Sequence, residues 1–310
     1  MSKKIYLIWQ SLSWESLRAS GFSLKLRKVM LTPLAILLTI GSLIAVVTLN
    51  SLIVIPAYSQ PAKPTSVASP SNLDLERPFR ELGVTGSIVI YDQKNNKFYE
   101  HNPSRNSTAF FPASTFKIFN SLVALETGTI KDETAVLTWD GVQRQIPEWN
   151  RDTNLRQAYK NSTVWFYQVL ARRIGHKQMQ SFINQIGYGN REIGTPEKID
   201  QFWLEGPLQI TPREQIKFLQ RLYSKDLPFS QPTIELVKDI MIFEKTPNYV
   251  WRGKTGWANS VNPEIGWFVG YLEQKDNAYF FATNIDLKDS DDPAARIEIT
   301  RRCFKMLGLL

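Results

Sequence analysis

Two strand–turn–strand patterns near opposite ends of the chain constrain its fold more than any other feature. The first joins residues 86–91 to 97–100 through a polar turn, and the second joins 266–272 to 278–283 in the same way. Between them the apolar residues recur at helical spacing, and T-P-R-E at 211–214 forms a capping box. A doubly wound sheet needs alternating strands and helices, so this order predicts an α+β fold. We expect an antiparallel sheet built from both ends of the domain and flanked by helices, with an inserted all-helical region.

The N-terminal part of the chain differs in composition from the rest. Residues 1–59 hold six basic residues and one acidic residue, and 29–57 contain no charged side chain. Such a run is long enough to cross a bilayer, whereas the apolar core of a signal peptide has about 7–15 residues. A membrane anchor at 29–57 and a long export signal both stay open. Either way the positive-inside rule keeps the basic end in the cytoplasm. We therefore expect export to the periplasm, either released or anchored to the inner membrane.

The remaining organisation follows from composition. Residues 60–80 are rich in Pro, Ser and Ala, which is typical of a linker, so the folded domain is predicted at 81–310. Most of the net charge of +8 lies in residues 1–59. The charge left in the domain is too small and too scattered for a surface that binds nucleic acid. The sequence leaves the oligomeric state open.

The histidine and cysteine content excludes several kinds of chemistry. The two histidines, His101 and His176, are far apart and not in ligand spacing, which argues against a histidine-built metal site and against a Ser-His-Asp triad. Cys303 is the single cysteine, so no intrachain disulfide can form. No metal is predicted, and any hydrolytic reaction must use a base other than histidine.

One candidate for such a base is a lysine close to a serine. Pro112 favours a helix start, and Ser114 and Lys117 would then lie three residues apart on the same face of its first turn. A serine hydroxyl becomes nucleophilic when an adjacent base removes its proton, and a neutral or modified lysine can do this. The apolar residues around Lys117 disfavour its charged form. Because one S-x-x-K match is expected by chance in a chain of this length, a capping serine and a surface lysine remain the alternative.

A second motif, K-T-G at Lys254 to Gly256, lies just before the second strand pair and is followed by Trp257. A cation beside a hydroxyl suits an anionic acyl substrate, and a glycine lets a ligand approach the backbone closely. Taken alone, these three residues are better explained as a simple turn. With Ser114, they predict a site where the inserted helices meet the sheet.

Together the two motifs resemble the signature of the serine β-lactamase and penicillin-binding protein superfamily. The S-D-N motif of that superfamily is absent, and S-T-V at Ser162 to Val164 stands in its place. Y-G-N follows at 188–190 and F-W-L-E-G at 202–206. This set, in this order, resembles the class D β-lactamases (oxacillinases) over about residues 80–310.

The resemblance implies catalytic roles for several residues. Ser114 would be the acylated nucleophile, and Lys117 the general base, N-carboxylated by carbon dioxide or bicarbonate, with no other cofactor bound. Trp203 and Val164 would stabilise this carbamate, since carboxylation needs a neutral amine in a dry pocket. The resemblance therefore implies a serine hydrolase whose base is a modified lysine.

The remaining implied roles concern the substrate, a small-molecule β-lactam. Ser162 would relay a proton to the β-lactam nitrogen, and Lys254 would hold the local potential. The backbone N–H groups of Ser114 and Trp257 would form the oxyanion hole. Arg296, in D-P-A-A-R, would bind the substrate carboxylate, a task suited to a guanidinium group. The implied substrate-binding residues are Thr255, Gly256, Trp257 and Arg296.

The same resemblance leaves two alternatives to the hydrolysis of β-lactam antibiotics. A membrane-linked β-lactam sensor domain stays acylated, and the uncharged segment at 29–57 suits it; such sensors resemble S-x-N where this chain has Val164. A penicillin-binding transpeptidase or carboxypeptidase usually shows S-x-N and a longer chain. The sequence favours the hydrolase and leaves open whether its substrates are penicillins, oxacillin-type drugs or carbapenems.

Overall fold

The computed structural model describes residues 73–288 and 293–310. Within these residues lie eight strands and nine α-helices. The strands are β1 (Gly86–Asp92), β2 (Lys97–His101), β3 (Val136–Leu137), β4 (Thr153–Asn154), β5 (Ile242–Lys245), β6 (Val250–Ala258), β7 (Glu264–Gln274) and β8 (Asn277–Leu287). The helices are α1 (Arg77–Leu82), α2 (Pro103–Asn106), α3 (Lys117–Glu126), α4 (Leu155–Lys160), α5 (Val164–Ile174), α6 (His176–Ile186), α7 (Pro212–Tyr223), α8 (Gln231–Ile240) and α9 (Ala295–Met306).

Six strands form one antiparallel sheet in the order β2-β1-β8-β7-β6-β5. The first strand lies inside this sheet: Ile88 pairs with His101 on one side and with Thr283 on the other. Strands from both ends of the domain are therefore neighbours, and helices α3 to α8 come between them in the chain. This arrangement confirms the predicted α+β fold class.

Both predicted strand pairs are present, and each extends slightly further than predicted. β1 and β2 pair as far as Asp92 and Lys97, and β7 and β8 pair as far as Gln274 and Asn277. The local alternation and the polar turn residues were sufficient to predict them because hairpins depend on short-range signals.

Both faces of the sheet are covered. Val89 of β1 packs in the core formed with the helical region, where it joins residues such as Phe119. Its neighbours Ile88 and Ile90 point to the opposite face and pack in the core formed with α1 and α9. All seven residues of β1 are buried, as expected for a strand that lies between two layers of helices.

The helix α7 begins as the sequence predicts. Thr211 Oγ1 accepts a hydrogen bond from the N–H of Glu214 at 3.1 Å, and a Glu214 carboxylate oxygen accepts one from the N–H of Thr211 at 2.8 Å. Pro212 is the first helical residue, where its missing N–H removes no helix bond. The helix α7 packs on β7 and β8 and so covers the middle of the sheet.

The folded part begins earlier than the predicted boundary at residue 81. The helix α1 lies inside the segment predicted as a linker, and Leu75 and Phe79 are only 4% and 2% exposed. Both side chains pack in the core that α9 also contributes to. Residues 73–80 therefore belong to the folded domain, because a few apolar side chains anchor a stretch whose composition is otherwise that of a linker.

The predicted export or anchor segment at 29–57 lies outside the described residues, as does the rest of 1–72. A search of the part of the chain that the structure describes finds no helix both long enough and apolar enough to cross a bilayer. Export therefore stays a prediction from the sequence, and whether residues 29–57 are a cleaved signal or a membrane anchor stays open.

Candidate active site

Ser114 lies in a 3₁₀ turn, Ala113–Phe116, that continues directly into α3. The sequence predicted an α-helical start after Pro112, whereas this first turn is 3₁₀ and Ala113 has a φ of 47°. Residues i and i+3 are stacked above one another in a 3₁₀ turn, so Ser114 lies directly over Lys117. The Nζ of Lys117 donates a hydrogen bond to the Oγ of Ser114 at 2.7 Å. The serine and lysine of the S-x-x-K motif are therefore in contact.

Lys117 is completely buried at the start of α3, a helix that packs against α5 and α8. Burial lowers the pKa of Lys117 well below its usual value, and the nearby charge of Lys254 lowers it further. The ring of Tyr167 lies 5.2 Å from the Nζ atom. Since the neutral amine is favoured, Lys117 has a lone pair with which it can take the proton of the Ser114 hydroxyl.

Trp203 holds the 3₁₀ turn Ala113–Phe116, which is called the nucleophile turn below, and packs against it. Its carbonyl oxygen accepts a hydrogen bond from the N–H of Ala113 at 2.9 Å, and its ring stacks on Phe116 with centroids 5.5 Å apart. The indole Nε1 is buried and has no hydrogen-bond partner among the described residues. A buried donor normally has a partner, so this N–H is available to an acceptor brought into the pocket.

A second serine–lysine contact joins the helical region to the sheet. Ser162 lies in the turn between α4 and α5, and its φ of 54° is uncommon for a residue with a side chain. Lys254, on β6, donates from Nζ to Ser162 Oγ at 2.6 Å and to the carbonyl oxygen of Thr255 at 3.0 Å. Val164 begins α5 two residues later and is half-buried. Ser162 and Lys254, which are far apart in sequence, are therefore joined directly by a hydrogen bond.

Lys254 differs from Lys117 in its charge. Burial, followed by the charge of Arg296, lowers the pKa of Lys254 to about 7. Arg296 is the second residue of α9 and is 9% exposed. Because the charge of Arg296 acts on Lys254, two cationic side chains contribute to the electrostatics of this side of the site, which suits a carboxylate. Lys254 changes its charge near neutral pH.

Gly256 lies where β6 meets the nucleophile turn. A Cβ atom at this position would be 3.0 Å from Thr115 Cγ2 and 3.1 Å from the carbonyl oxygen of Pro112. The sequence suggested that a ligand approaches the backbone at this glycine. In the structure the nucleophile turn occupies that space instead. The next residue, Trp257, is 47% exposed, and its Nε1 donates to a Glu264 carboxylate oxygen at 2.5 Å.

Sequence reasoning missed two tyrosines that contact the lysines. Tyr167 lies under Lys117, and the ring of Tyr159 lies 5.5 Å from the Nζ of Lys254. The hydroxyl of Tyr159 also donates to the carbonyl oxygen of Gly253 on β6 at 3.2 Å. No motif marks either residue, since a buried aromatic residue at helical spacing is indistinguishable in sequence from an ordinary core residue.

The fold and the paired serine–lysine contacts define a class of enzymes that acylate a serine without histidine. Residues 85–305 match the family model described as the penicillin binding protein transpeptidase domain. The chain is 42% identical to Beta-lactamase OXA-48 of Klebsiella pneumoniae over 227 residues, which covers 73% of this chain and 85% of that protein. It is also 38% identical to the Regulatory protein BlaR1 of Bacillus licheniformis, covering 67% of this chain and 34% of that protein.

Among solved structures, the chain resembles the crystal structure of a class D β-lactamase, YbXI, from Nostoc. The TM-score is 0.76 and the sequence identity is 71%, with 77% of this chain and all of that chain covered. A second class D enzyme, FUS-1 (OXA-85) from Fusobacterium nucleatum, gives a TM-score of 0.73 and 44% identity, covering 76% of this chain and 98% of that chain. The chain belongs to the class D β-lactamases.

Proposed function

We propose that the protein hydrolyses β-lactams through an acyl-enzyme on Ser114. The observation that carries this proposal is the contact between Ser114 Oγ and the fully buried Lys117 Nζ at 2.7 Å. A lysine whose neutral form is favoured is the base that a serine needs when no histidine is near. The names of the β-lactamase relatives support β-lactams as the substrates.

In the first step Ser114 Oγ attacks the carbonyl carbon of the lactam ring. The hydroxyl proton passes to the Lys117 side chain, the new C–O bond forms, and the C–N bond of the ring breaks. Ser162 delivers a proton to the departing nitrogen and recovers it from Lys254, with which it shares a 2.6 Å hydrogen bond. Before the second step the Lys117 side chain returns its proton to Lys254. In the second step the Lys117 side chain takes a proton from water, the water oxygen attacks the acyl carbon, and the proton passes to Ser114 Oγ as the ester C–O bond breaks. The N–H groups of Ser114 and Trp257 would stabilise the oxyanion of both steps.

The pocket around Lys117 fits an N-carboxylated lysine. Carbon dioxide reacts only with a neutral amine, and the burial of Lys117 favours that form. The unpartnered, buried Nε1 of Trp203 is a donor suited to hold a carbamate oxygen, and the apolar side chain of Val164 would help to exclude water. When present, the group would supply an anionic base able to take a proton from the Ser114 hydroxyl and later from water.

Substrate binding would use the cationic side of the site. β-Lactam antibiotics carry a carboxylate next to the ring, and Lys254 and Arg296 provide positive charge there. The hydroxyl of Thr255, which lies 3.4 Å from Lys254 Nζ, would add a neutral hydrogen bond to the same carboxylate. The exposed side chain of Trp257 would line the substrate further along β6, whereas Gly256 would let β6 lie close to the nucleophile turn.

The working site of this enzyme would be outside the cytoplasm. The uncharged segment at 29–57 and the basic residues before it support export to the periplasm, with the segment either removed or kept as an anchor in the inner membrane. Sequencing the N-terminus of the protein recovered from a periplasmic fraction would distinguish the two.

A steady-state assay of the purified full-length chain tests the proposal. We expect turnover of a penicillin and of a chromogenic cephalosporin, and a higher rate when bicarbonate is added to protein depleted of carbon dioxide, with sodium chloride at equal ionic strength as the control. A ¹³C NMR signal from labelled bicarbonate bound to wild type, and its absence in Lys117→Ala, would report the carbamate independently of activity. Absence of turnover would contradict hydrolysis, and an unchanged rate without the NMR signal would contradict carboxylation.

The similarity to BlaR1 favours one second candidate, a β-lactam sensor that stays acylated. The assay separates the two functions. Stoichiometric capture of the penicillin on Ser114, followed by no further product, would support the sensor. Many turnovers for each protein molecule would support the hydrolase.

A further inference from the structure

The turn that carries Ser162 is held by an indole group from a separate loop. Asn161 is the C-cap residue that follows α4, and Ser162 comes next. The Nε1 of Trp149 donates a hydrogen bond to the carbonyl oxygen of Asn161 at 2.9 Å, and the N–H of Ser162 donates to the carbonyl oxygen of Tyr159 at 3.2 Å. These two bonds hold both polar ends of one peptide unit, the one that joins Asn161 to Ser162.

The orientation of this peptide unit determines where the Ser162 side chain points. The φ angle of Ser162 is the rotation about the bond from its peptide nitrogen to its Cα atom, so it is set by the peptide planes on both sides of that residue. The following peptide is held as well, because the N–H of Thr163 donates to the carbonyl oxygen of Ala158 at 2.9 Å. With both neighbours held, the orientation of the Asn161–Ser162 peptide determines the angle. A φ of 54° persists in a serine only when its surroundings enforce it. In this orientation Ser162 Oγ accepts the hydrogen bond from Lys254. If the peptide plane were free to turn, the hydroxyl would leave that position.

Trp149 is itself firmly held. Its carbonyl oxygen accepts a hydrogen bond from the Nε1 of Trp165 on α5 at 2.8 Å. The adjacent Asn150 exchanges two hydrogen bonds with the backbone of Arg144, at 2.7 and 2.8 Å, and the Arg144 guanidinium lies over the Trp165 ring. The loop therefore presents the Trp149 indole to the turn from a fixed backbone.

We infer that Trp149 is a positioning residue for acylation, acting on Ser162 through the peptide that joins Asn161 to Ser162. The inference rests on the proposed function, in which Ser162 delivers the proton to the ring nitrogen as the C–N bond breaks. Trp149 takes no part in that proton transfer. It keeps the hydroxyl of Ser162 aligned with Lys254 while the transfer occurs.

The substitution Trp149→Phe tests this role, because it keeps an aromatic ring and removes the N–H. We expect the rate constant for acylation of Ser114, measured by stopped flow under single-turnover conditions, to fall by up to about 100-fold. Trp139→Phe is the matched control, since it removes an indole N–H from the same loop whose bond ends at the carbonyl oxygen of Val142. The control is expected to acylate at the wild-type rate. Equal rates for Trp149→Phe and wild type would overturn the inference.

A double-mutant cycle separates positioning from general damage to the fold. If Trp149 acts through Ser162, then adding Trp149→Phe to Ser162→Ala leaves the acylation rate of the single Ser162→Ala variant unchanged. Effects that multiply in the double variant would overturn the inference. All rates are referred to the concentration of sites titrated by a covalent β-lactam label, so that an unfolded fraction does not enter them.

Because the acylation rate is measured, a failure of this inference can be distinguished from a failure of the proposed hydrolysis. Wild-type protein that acylates without steady-state turnover would contradict hydrolysis, whereas the comparison of Trp149→Phe with wild type depends on acylation alone. Turnover by wild type together with unchanged acylation in Trp149→Phe would contradict only the role of Trp149.

Discussion

The two serine–lysine pairs of the site have nearly the same geometry and different environments. Ser114 and Lys117 are 2.7 Å apart, and Ser162 and Lys254 are 2.6 Å apart. Lys117 lies inside one helix start and is wholly enclosed, whereas Lys254 also donates to the backbone of Thr255 and lies near the charge of Arg296. The surroundings lower the pKa of both lysines, but that of Lys254 remains near neutrality. Similar contacts therefore favour a neutral base in one pair and a titrating cation in the other.

The largest expected effect is the loss of activity when either lysine is removed, and its size should differ between Lys117 and Lys254. In Lys117→Ala the base is lost, and we expect kcat to fall by about 10⁴-fold or to vanish, because general base catalysis contributes about 10²–10⁴ and both steps need it. In Lys254→Ala we expect a loss of about 100-fold in kcat/KM, part of it as a higher KM for the anionic substrate. Steady-state kinetics of both variants would check this. Equal losses in kcat for the two would break the distinction between them.

The second prediction uses the pH dependence of stability. The pKa of Lys254 is about 7 in the folded protein against an ordinary value of 10.5, so the unfolded chain binds a proton that the folded protein lacks between these pH values. Stability gains from this group as pH rises through that window, by up to about 1.4 kcal/mol per pH unit. Below pH 7 both states are protonated and the dependence ends.

The comparison with Lys254→Met isolates this contribution from the other titrating groups. Urea unfolding of both proteins at several pH values should show a wild-type-minus-variant difference that rises from about pH 7 to about pH 10.5. A difference that stays flat over this range would show that Lys254 keeps its ordinary pKa in the folded protein.

The smallest expected effect concerns the contact between Gly256 on β6 and the nucleophile turn, which joins the strand of Lys254 to the turn of Ser114. In Gly256→Ala the new methyl group would press on Thr115 and Pro112, so we expect the unfolding free energy to fall by about 1–3 kcal/mol and kcat to fall by about tenfold. Gly253→Ala is the matched control, because its Cβ would meet the ring of Phe268 in the core on the other face of the sheet.

The two glycine variants are compared by thermal unfolding and by kinetics on the folded fraction. The control is expected to lose stability with its kcat retained. A Gly256→Ala variant that loses stability alone would show that the spacing between β6 and the nucleophile turn does not limit the rate.

Local signals predicted a large part of this structure. The paired strands follow from alternating side chains and polar turns, and the start of α7 follows from its capping box, because each depends on residues close together in sequence. The contact of Ser114 with Lys117 is local too, since three residues span one turn. The sequence therefore predicted the fold class and the contact of Ser114 with Lys117 without knowledge of the tertiary structure.

The parts that were missed depend on segments distant in the chain. The positive φ of Ser162, the place of Gly256 against Pro112, and the position of Tyr159 beside Lys254 arise from packing between the helical region and β6. The helix α1 was missed for the same reason, because its apolar side chains find their partners in α9. No pattern within a short window encodes such contacts.

The position of β1 inside the sheet determines the order in which the strands can pair while the polypeptide is synthesised. As the polypeptide leaves the ribosome, β1 meets β2 at once, but its other edge pairs with β8, in which Ile285 faces Gly86. That edge stays open until almost the whole polypeptide has been made, and such long-range pairing slows folding. The strand β6 is joined to β1 only through β7 and β8. A polypeptide truncated before β7 therefore has the turn that carries Ser114 but no completed sheet behind β6, the strand that packs on this turn.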